Sequence, residues 1–141
     1  MIHEFNAAGV EYLVVGAYAL AGYGLARATR DLDLWIRVSP ENARRVLAAL
    51  AAFGAPQNVA AQADLLNPEL VVQICVEPLR VDILMAITGV DFDAAYSVRS
   101  TVVVGDVSMP LLSREHLIAN KRAAARPKDL IDVAWLEQHP D

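Results

Sequence analysis

Thr29-Arg30-Asp31-Leu32-Asp33-Leu34-Trp35-Ile36-Arg37-Val38 is the stretch that decides the fold of this chain. Its even positions, Leu32, Leu34, Ile36 and Val38, are all apolar, and its odd positions are Asp31, Asp33, Trp35 and Arg37. Alternation with period two predicts a β-strand from Leu32 to Val38, with one face in a core and the other turned to polar surroundings. Residues two apart on a strand share a face, so Asp31 and Asp33 project side by side. With a reference pKa near 3.9, both are ionised at neutral pH. Two unit charges about 4 Å apart at an effective dielectric near 20 repel by roughly 4 kcal/mol. Such a pair is costly unless water or a cation meets it, and hard divalent ions such as Mg²⁺ prefer carboxylate oxygens. Asp-x-Asp is equally the solvated face of a surface strand.

The segments on either side supply the rest of the architecture. Ile2 to Ala8 reads as a short helix stopped by Gly9. Tyr12-Leu13-Val14-Val15 reads as a buried strand ended by Gly16, with a helix from Ala17 to Leu25 after it. Ser39-Pro40-Glu41-Asn42 opens a helix, with serine as N-cap and proline in the first turn, that runs to about Phe53 and stops at Gly54. Leu70 to Val76 and Leu79 to Met85 are two strands turning at Glu77-Pro78, and Asp91 to Tyr96 is one helical turn. Ser100 to Val104 and Val107 to Leu111 flank Gly105-Asp106, a strong hairpin signal. A last helical region begins at Ser113, and Pro127 divides it. The order predicts an α+β (mixed α/β) domain, a mixed sheet with flanking helices mostly on one face. No repeat, low-complexity tract or linker interrupts it, so residues 1–141 read as a single domain with a C-terminal helical, basic segment.

Composition narrows the function classes. The chain has 141 residues, 55% hydrophobic and 21% charged, as expected of a folded domain rather than a disordered one. No apolar run approaches the roughly 20 residues that span a bilayer, and Met1 to Phe5 lack the basic start and apolar core of a secretion signal. A single cysteine excludes an internal disulfide framework and a cysteine-based zinc cluster. The expected location is cytoplasmic, with no membrane contact. Cys75, in an apolar strand, reads as an inert buried thiol, and His3, His116 and His139 have no metal-ligand spacing. A net charge of −5 argues against coating nucleic acid by charge alone. The charge is unevenly spread, however: Arg114, Lys121, Arg122, Arg126 and Lys128 stand together against only Glu115. That stretch suggests a local anion site, or else a solvated helix face.

Two further features bear on chemistry. Arg80-Val81-Asp82-Ile83-Leu84 repeats the alternation, placing Asp82 opposite an apolar face. If its strand neighbours the first, three carboxylates converge on one sheet face, as two-metal phosphoryl-transfer sites require. If not, Asp82 is an exposed strand residue. Gly16, between a strand and a helix, lets backbone N–H groups approach a phosphate, although glycine at such a turn is equally a steric need. The turn is not a Walker A loop, and Gly16, Gly22 and Gly24 miss the dinucleotide spacing.

Together these residues resemble the DNA polymerase β-like nucleotidyltransferase superfamily. The nearest likeness is to its small bacterial branch, the abortive-infection toxin and minimal nucleotidyltransferases. There the turn often reads Gly-Gly-Tyr-Ala-Leu, the acids sit in Thr-Arg-Asp-Leu-Asp, and the C-terminal part holds Arg-Pro-Lys-Asp-Leu-x-Asp. This chain has Gly16-Ala17-Tyr18-Ala19-Leu20, Thr29-Arg30-Asp31-Leu32-Asp33 and Arg126-Pro127-Lys128-Asp129-Leu130-Ile131-Asp132, so the likeness runs from about Val10 to Glu137. Each motif alone is unspecific; the combination is specific.

The resemblance implies transfer of a nucleoside monophosphate from an NTP to a hydroxyl, with Mg²⁺ or Mn²⁺ and release of pyrophosphate. Asp31 and Asp33 would hold both metal ions, and Asp82 would complete the site at the ion that activates the hydroxyl. The turn at Gly16 and Ala17 would hold the triphosphate. Lys121, Lys128 and Asp129 would contact the phosphates or orient that contact, and Arg30 would pair with phosphate or with Asp31. Trp35 would stack on a base or simply pack; Tyr18 and Tyr23 read as packing. The acceptor stays open among an RNA end such as that of tRNA, a protein partner and a small molecule. A place in a toxin–antitoxin or phage-defence system and an oligomer are both compatible with this reading. Ala17 departs from the family's glycine or serine and removes any hydroxyl contact to the triphosphate. That departure supports the alternative, a non-catalytic nucleotide-binding or antitoxin-like partner module of the same fold.

Overall fold

The computed structural model describes residues 1–76 and 78–140, so the turn expected at Glu77-Pro78 lies partly outside the described residues. In chain order the elements are α1 (Ile2–Ala7), β1 (Tyr12–Val15), α2 (Gly16–Gly22), β2 (Asp31–Ile36), α3 (Pro40–Phe53), a 3₁₀ turn (Asp64–Leu66), β3 (Val71–Val76) and β4 (Leu79–Leu84). They continue with α4 (Phe92–Ser97), β5 (Ser100–Val104), β6 (Val107–Leu111), α5 (Arg114–Ala124) and α6 (Pro127–Gln138). The architecture is mixed α+β, one mixed sheet in the order β3-β4-β2-β1-β6-β5. β2 runs antiparallel to β1 and parallel to β4; β6 runs parallel to β1; β3–β4 and β5–β6 are antiparallel pairs. Among the described residues no helix is long and apolar enough to cross a membrane.

Local chemistry sets the element boundaries. The Ser39 hydroxyl accepts a hydrogen bond from the Asn42 N–H at 3.1 Å, Pro40 occupies the first turn, and Gly54 closes α3 in the left-handed region at φ 95°. Asn42 is buried yet satisfied. Its Oδ1 accepts from the Glu11 N–H at 2.8 Å, and its Nδ2 donates to the carbonyls of Glu11 (3.0 Å) and Arg37 (2.8 Å). That anchor ties the start of α3 to the chain entering β1 and leaving β2, and β2 ends at Ile36, short of the expected Val38. At the hairpin between β5 and β6, Gly105 has φ 64° and Asp106 does not share the positive φ, the pattern of a II′ turn.

The sheet has a core on each face, which corrects the expectation of helices mostly on one face. Tyr12, Val14, Leu32, Leu34, Ile36, Val81 and Ile83 pack with Phe5 of α1 and with Val46 and Leu50 of α3. Leu13, Val15 and Trp35 pack on the other face with Ala19 and Leu20 of α2, Ala95 of α4, Leu117 of α5 and Leu136 of α6. All four residues of β1 are buried, as a strand covered on both sides requires. Trp35 is therefore a packing residue, edge-on to Phe92 with ring centroids 5.0 Å apart. Tyr23 is half-buried and donates its hydroxyl to the Leu112 carbonyl at 2.7 Å. Cys75, expected to be buried, is exposed on the outer face of the edge strand β3.

Leu34 is fully buried beneath the strand that carries the acids. We expect Leu34→Ala to lower unfolding free energy by about 3 kcal/mol, from lost transfer energy plus the cavity left behind. Urea denaturation of both proteins measures it, and a loss below about 1 kcal/mol would mean that the first core does not hold β2 as described.

Candidate active site

The parallel pairing of β2 with β4 sets Asp31 directly opposite Arg80, and Asp33 directly opposite Asp82. With alternation fixed by the buried Leu32, Leu34, Val81 and Ile83, all four polar side chains share the other face. They lie at one end of it, beyond Trp35 and Leu84. The adjacency on which the three-carboxylate reading depended is thus present.

The three acids differ in environment. Asp82 is buried, Asp33 is half-buried, and the Asp31 side chain is 44% exposed. The Asp33 carboxyl is pushed up to about 6, first by burial and then by the neighbouring Asp82 and Asp31 charges, with Arg80 opposing. Arg80 reaches both other acids: its terminal nitrogen lies 3.1 Å from Asp31 Oδ2, and its Nε lies 3.3 Å from Asp82 Oδ1. The Nε contact is an ion pair without hydrogen-bond geometry, and Asp82 Oδ1 accepts no hydrogen bond.

Gly16 stands against Asp33 for a steric reason. Its φ is +70°, and a Cβ there would sit 2.3 Å from Asp33 Oδ2. Only glycine lets the turn between β1 and α2 lay its backbone against the carboxylate. Beside this turn opens a cleft of about 240 Å³ lined by Gly16 and Ala17 and by Asp31 and Asp33. Arg27, Lys121, Arg126 and Lys128 line it as well, together with Asp132.

A buried ion network holds those cations. Lys121 Nζ lies 2.9 Å from Asp132 Oδ2 and 3.4 Å from Asp129 Oδ1, and the Asp132 side chain is fully buried. The Arg27 guanidinium grips both oxygens of Asp132. Arg126 Nε lies 2.6 Å from Asp129, whose carboxylate also accepts the Arg126 N–H at 3.2 Å, capping α6 above Pro127. Burial works to raise the Asp129 carboxyl, but Arg126 and Lys121 hold it below its ordinary value. Lys128 is exposed at the cleft and, among the described residues, has no carboxylate partner.

Of the residues singled out in the sequence, Gly16, Ala17, Asp31, Asp33, Lys121 and Lys128 line one cleft, with Asp82 next to Asp33. Asp129 sits behind it and acts through Lys121 and Arg126. Arg30 does not line it; its side chain is exposed, and its carbonyl accepts the Arg80 N–H at 2.7 Å, joining β2 to β4. Arg27, Arg80 and Asp132 were given no role in the sequence reading. For Asp132 a signal existed: it lies three residues after Asp129 and next to the buried Val133, on the inner face of α6. For Arg80 a partial signal existed too, since alternation puts it on the face of Asp82 two residues on, but its second partner, Asp31, is distant in sequence, as is Asp132 from Arg27.

Among the described residues no three His, Cys, Asp or Glu side chains form a ready-made metal cluster; Arg80 stands between Asp31 and Asp82. The donor set nevertheless suits a hard divalent ion in kind: all oxygen, with a buried Asp82 Oδ1 that accepts no hydrogen bond and a crowded Asp33. Comparison with known proteins gives no match, either to a protein-family model or to a curated protein.

Two outcomes follow from these environments. The folded-state carboxyl of Asp33 titrates near 6 against an ordinary value of 3.8, so its ionisation cost is absent below about pH 4 and complete above pH 7. Asp33→Asn should therefore be more stable than the parent at pH 7.5, by about 1–2 kcal/mol after solvent screening. The gain should shrink through pH 6 and vanish near pH 4; melting curves across that range measure it, and a gain independent of pH would contradict the assigned environment. Lys121→Ala would leave Asp132 and Asp129 short of a cation, at a cost of about 3 kcal/mol. Thermal melting tests this, and an unchanged midpoint would place Lys121 outside the buried network.

Proposed function

We propose that this chain is a metal-dependent nucleotidyltransferase of the polymerase β-like type, moving a nucleoside monophosphate from an NTP to a hydroxyl. The observation that carries the reading is Asp33 opposite Asp82 across a parallel strand pair, with Asp31 two residues away and a cationic cleft beginning at Asp33. Like charges in such positions are unfavourable in a sheet, and a cleft of opposite charge beside them suits a polyphosphate.

In this reading the triphosphate lies in the cleft, with its charge met by Lys128, Lys121 and Arg27 and by backbone N–H groups of the Gly16-Ala17 turn. Asp31, Asp33 and Asp82 would hold Mg²⁺ or Mn²⁺, which when bound would supply charge neutralisation and polarise the hydroxyl. The acceptor oxygen forms a bond to the α-phosphorus as the bond from that phosphorus to the bridging oxygen breaks. The hydroxyl proton passes to a carboxylate oxygen of Asp82, and pyrophosphate leaves along the basic side. The chain's contribution is positioning and electrostatic complementarity rather than covalent chemistry. The second reading, a non-catalytic nucleotide-binding or antitoxin-like partner, is favoured by Ala17 and by Arg80 pairing with two of the acids.

Each α-labelled NTP with Mg²⁺ and separate RNA, protein and small-molecule acceptor pools tests the proposal. We expect label on an acceptor with the parent, and a loss of at least about 100-fold with Asp33→Asn. Lys128→Ala should weaken NTP binding about tenfold with the melting midpoint unchanged, since Lys128 is exposed and supports no buried partner. NTP binding without transfer to any pool would favour the second reading, and no NTP binding would overturn both.

A further inference from the structure

Among the described residues Arg80 is the cation set directly among the acids, and its contacts differ in kind from those of Lys121. It lies across the β2–β4 pair from Asp31 and two residues before Asp82 on the same face, so the register alone brings its guanidinium between them. Its terminal nitrogen is 3.1 Å from Asp31 Oδ2 and 3.4 Å from Asp82 Oδ2, and its Nε is 3.3 Å from Asp82 Oδ1. All three are longer than the roughly 2.7–2.9 Å of well-formed charge-assisted hydrogen bonds. The Nε is buried yet donates to no acceptor, so the head is not locked in a satisfied fork. The side chain is 42% exposed, and its neighbour across β3, Cys75, is exposed as well, leaving a way out to water. Lys121, by contrast, is 10% exposed and held at 2.9 Å by a fully buried carboxylate.

We propose that Arg80 is a displaceable internal counter-ion of Asp31 and Asp82, and that a divalent cation gains these carboxylates only as the guanidinium swings out. The inference rests on the reading of the acids as metal ligands and adds to it a residue that sets the affinity for metal. The exchange replaces a single positive charge by a double one, gives up a half-exposed pair with Asp31, which is weak, and keeps a cation beside the buried Asp82, whose contact with Arg80 is long. Backbone pairing of Arg80 to Arg30 stays intact, so only the side chain moves.

The test is Mn²⁺ alone, titrated calorimetrically into the parent, Arg80→Gln and Arg80→Lys. Glutamine keeps most of the length and removes the charge, so Arg80→Gln should bind Mn²⁺ about threefold to tenfold more tightly than the parent, with Arg80→Lys in between. In the parent, saturating Mg²⁺ should shift the Arg80 Nε–H resonance towards that of a free side chain. If Arg80→Gln fails to fold, the lysine variant and the parent resonance still decide. Equal or weaker binding in the variants, or an unmoved resonance while Mg²⁺ binds the parent, overturns the role of Arg80 and leaves the metal-ligand reading standing. No Mn²⁺ binding in any of the three proteins overturns both.

Discussion

The parallel pairing of β2 with β4 places Asp33 opposite Asp82, and the rest of the candidate site is arranged around that juxtaposition. Directly opposed like charges disfavour a strand pair. The pair holds because Leu32, Leu34, Val81 and Ile83 are buried on the reverse face. A slip of one residue would turn that apolar set outward and the acids into the core, so the first core enforces the register that crowds the carboxylates. The raised carboxyl of Asp33 records the cost of this arrangement. Arg80 reduces that cost at Asp31 and Asp82, and a glycine is needed at position 16 because any Cβ would strike Asp33.

A second constraint works from the C-terminal helices. Asp132 is fully buried and shared by Lys121 of α5 and Arg27 of the loop before β2. Buried carboxylates demand cations, and these two stand 105 residues from Asp132 in the case of Arg27 and 11 in the case of Lys121. The network thus joins the α5–α6 pair to the loop that feeds the acids, and it sets one basic wall of the cleft against the Gly16 turn. Asp129 extends it through Arg126, capping α6 as it does so. Lys121 is accordingly a structural ion in the first place and a cleft cation in the second, whereas Lys128 belongs to the cleft alone.

Much of this was legible in local sequence. The alternation from Asp31 to Ile36, the Ser39-Pro40 helix start with its Gly54 stop, and the Gly105-Asp106 hairpin all appear as their residue chemistry implies. The misreadings are physical too. The wholly apolar Tyr12–Val15 run already signalled a strand covered on both faces, and weighing it would have put helices on both sides of the sheet. Cys75 looked buried because its neighbours are apolar, but β3 is an edge strand and its outer face carries Val71, Gln73 and Cys75 uncovered. Trp35 shares a face with the acids, yet lies far enough along β2 to be sealed under α4 by Phe92.

Neighbours within a few residues dictate which side chains share a strand face, where helices start and stop, and where glycine must bend the chain. That was enough to align Asp31 with Asp33 and to mark Asp82 as a polar residue on an otherwise apolar strand. The packing of the whole chain sets β4 beside β2, puts Arg80 between two of the acids, and lets the buried Asp132 hold Lys121 and Arg27 at the cleft. Side-chain periodicity along one strand carries no information about which strand becomes its neighbour. That choice follows from how the two cores close around the whole sheet, and the electrostatics of the site follows from it.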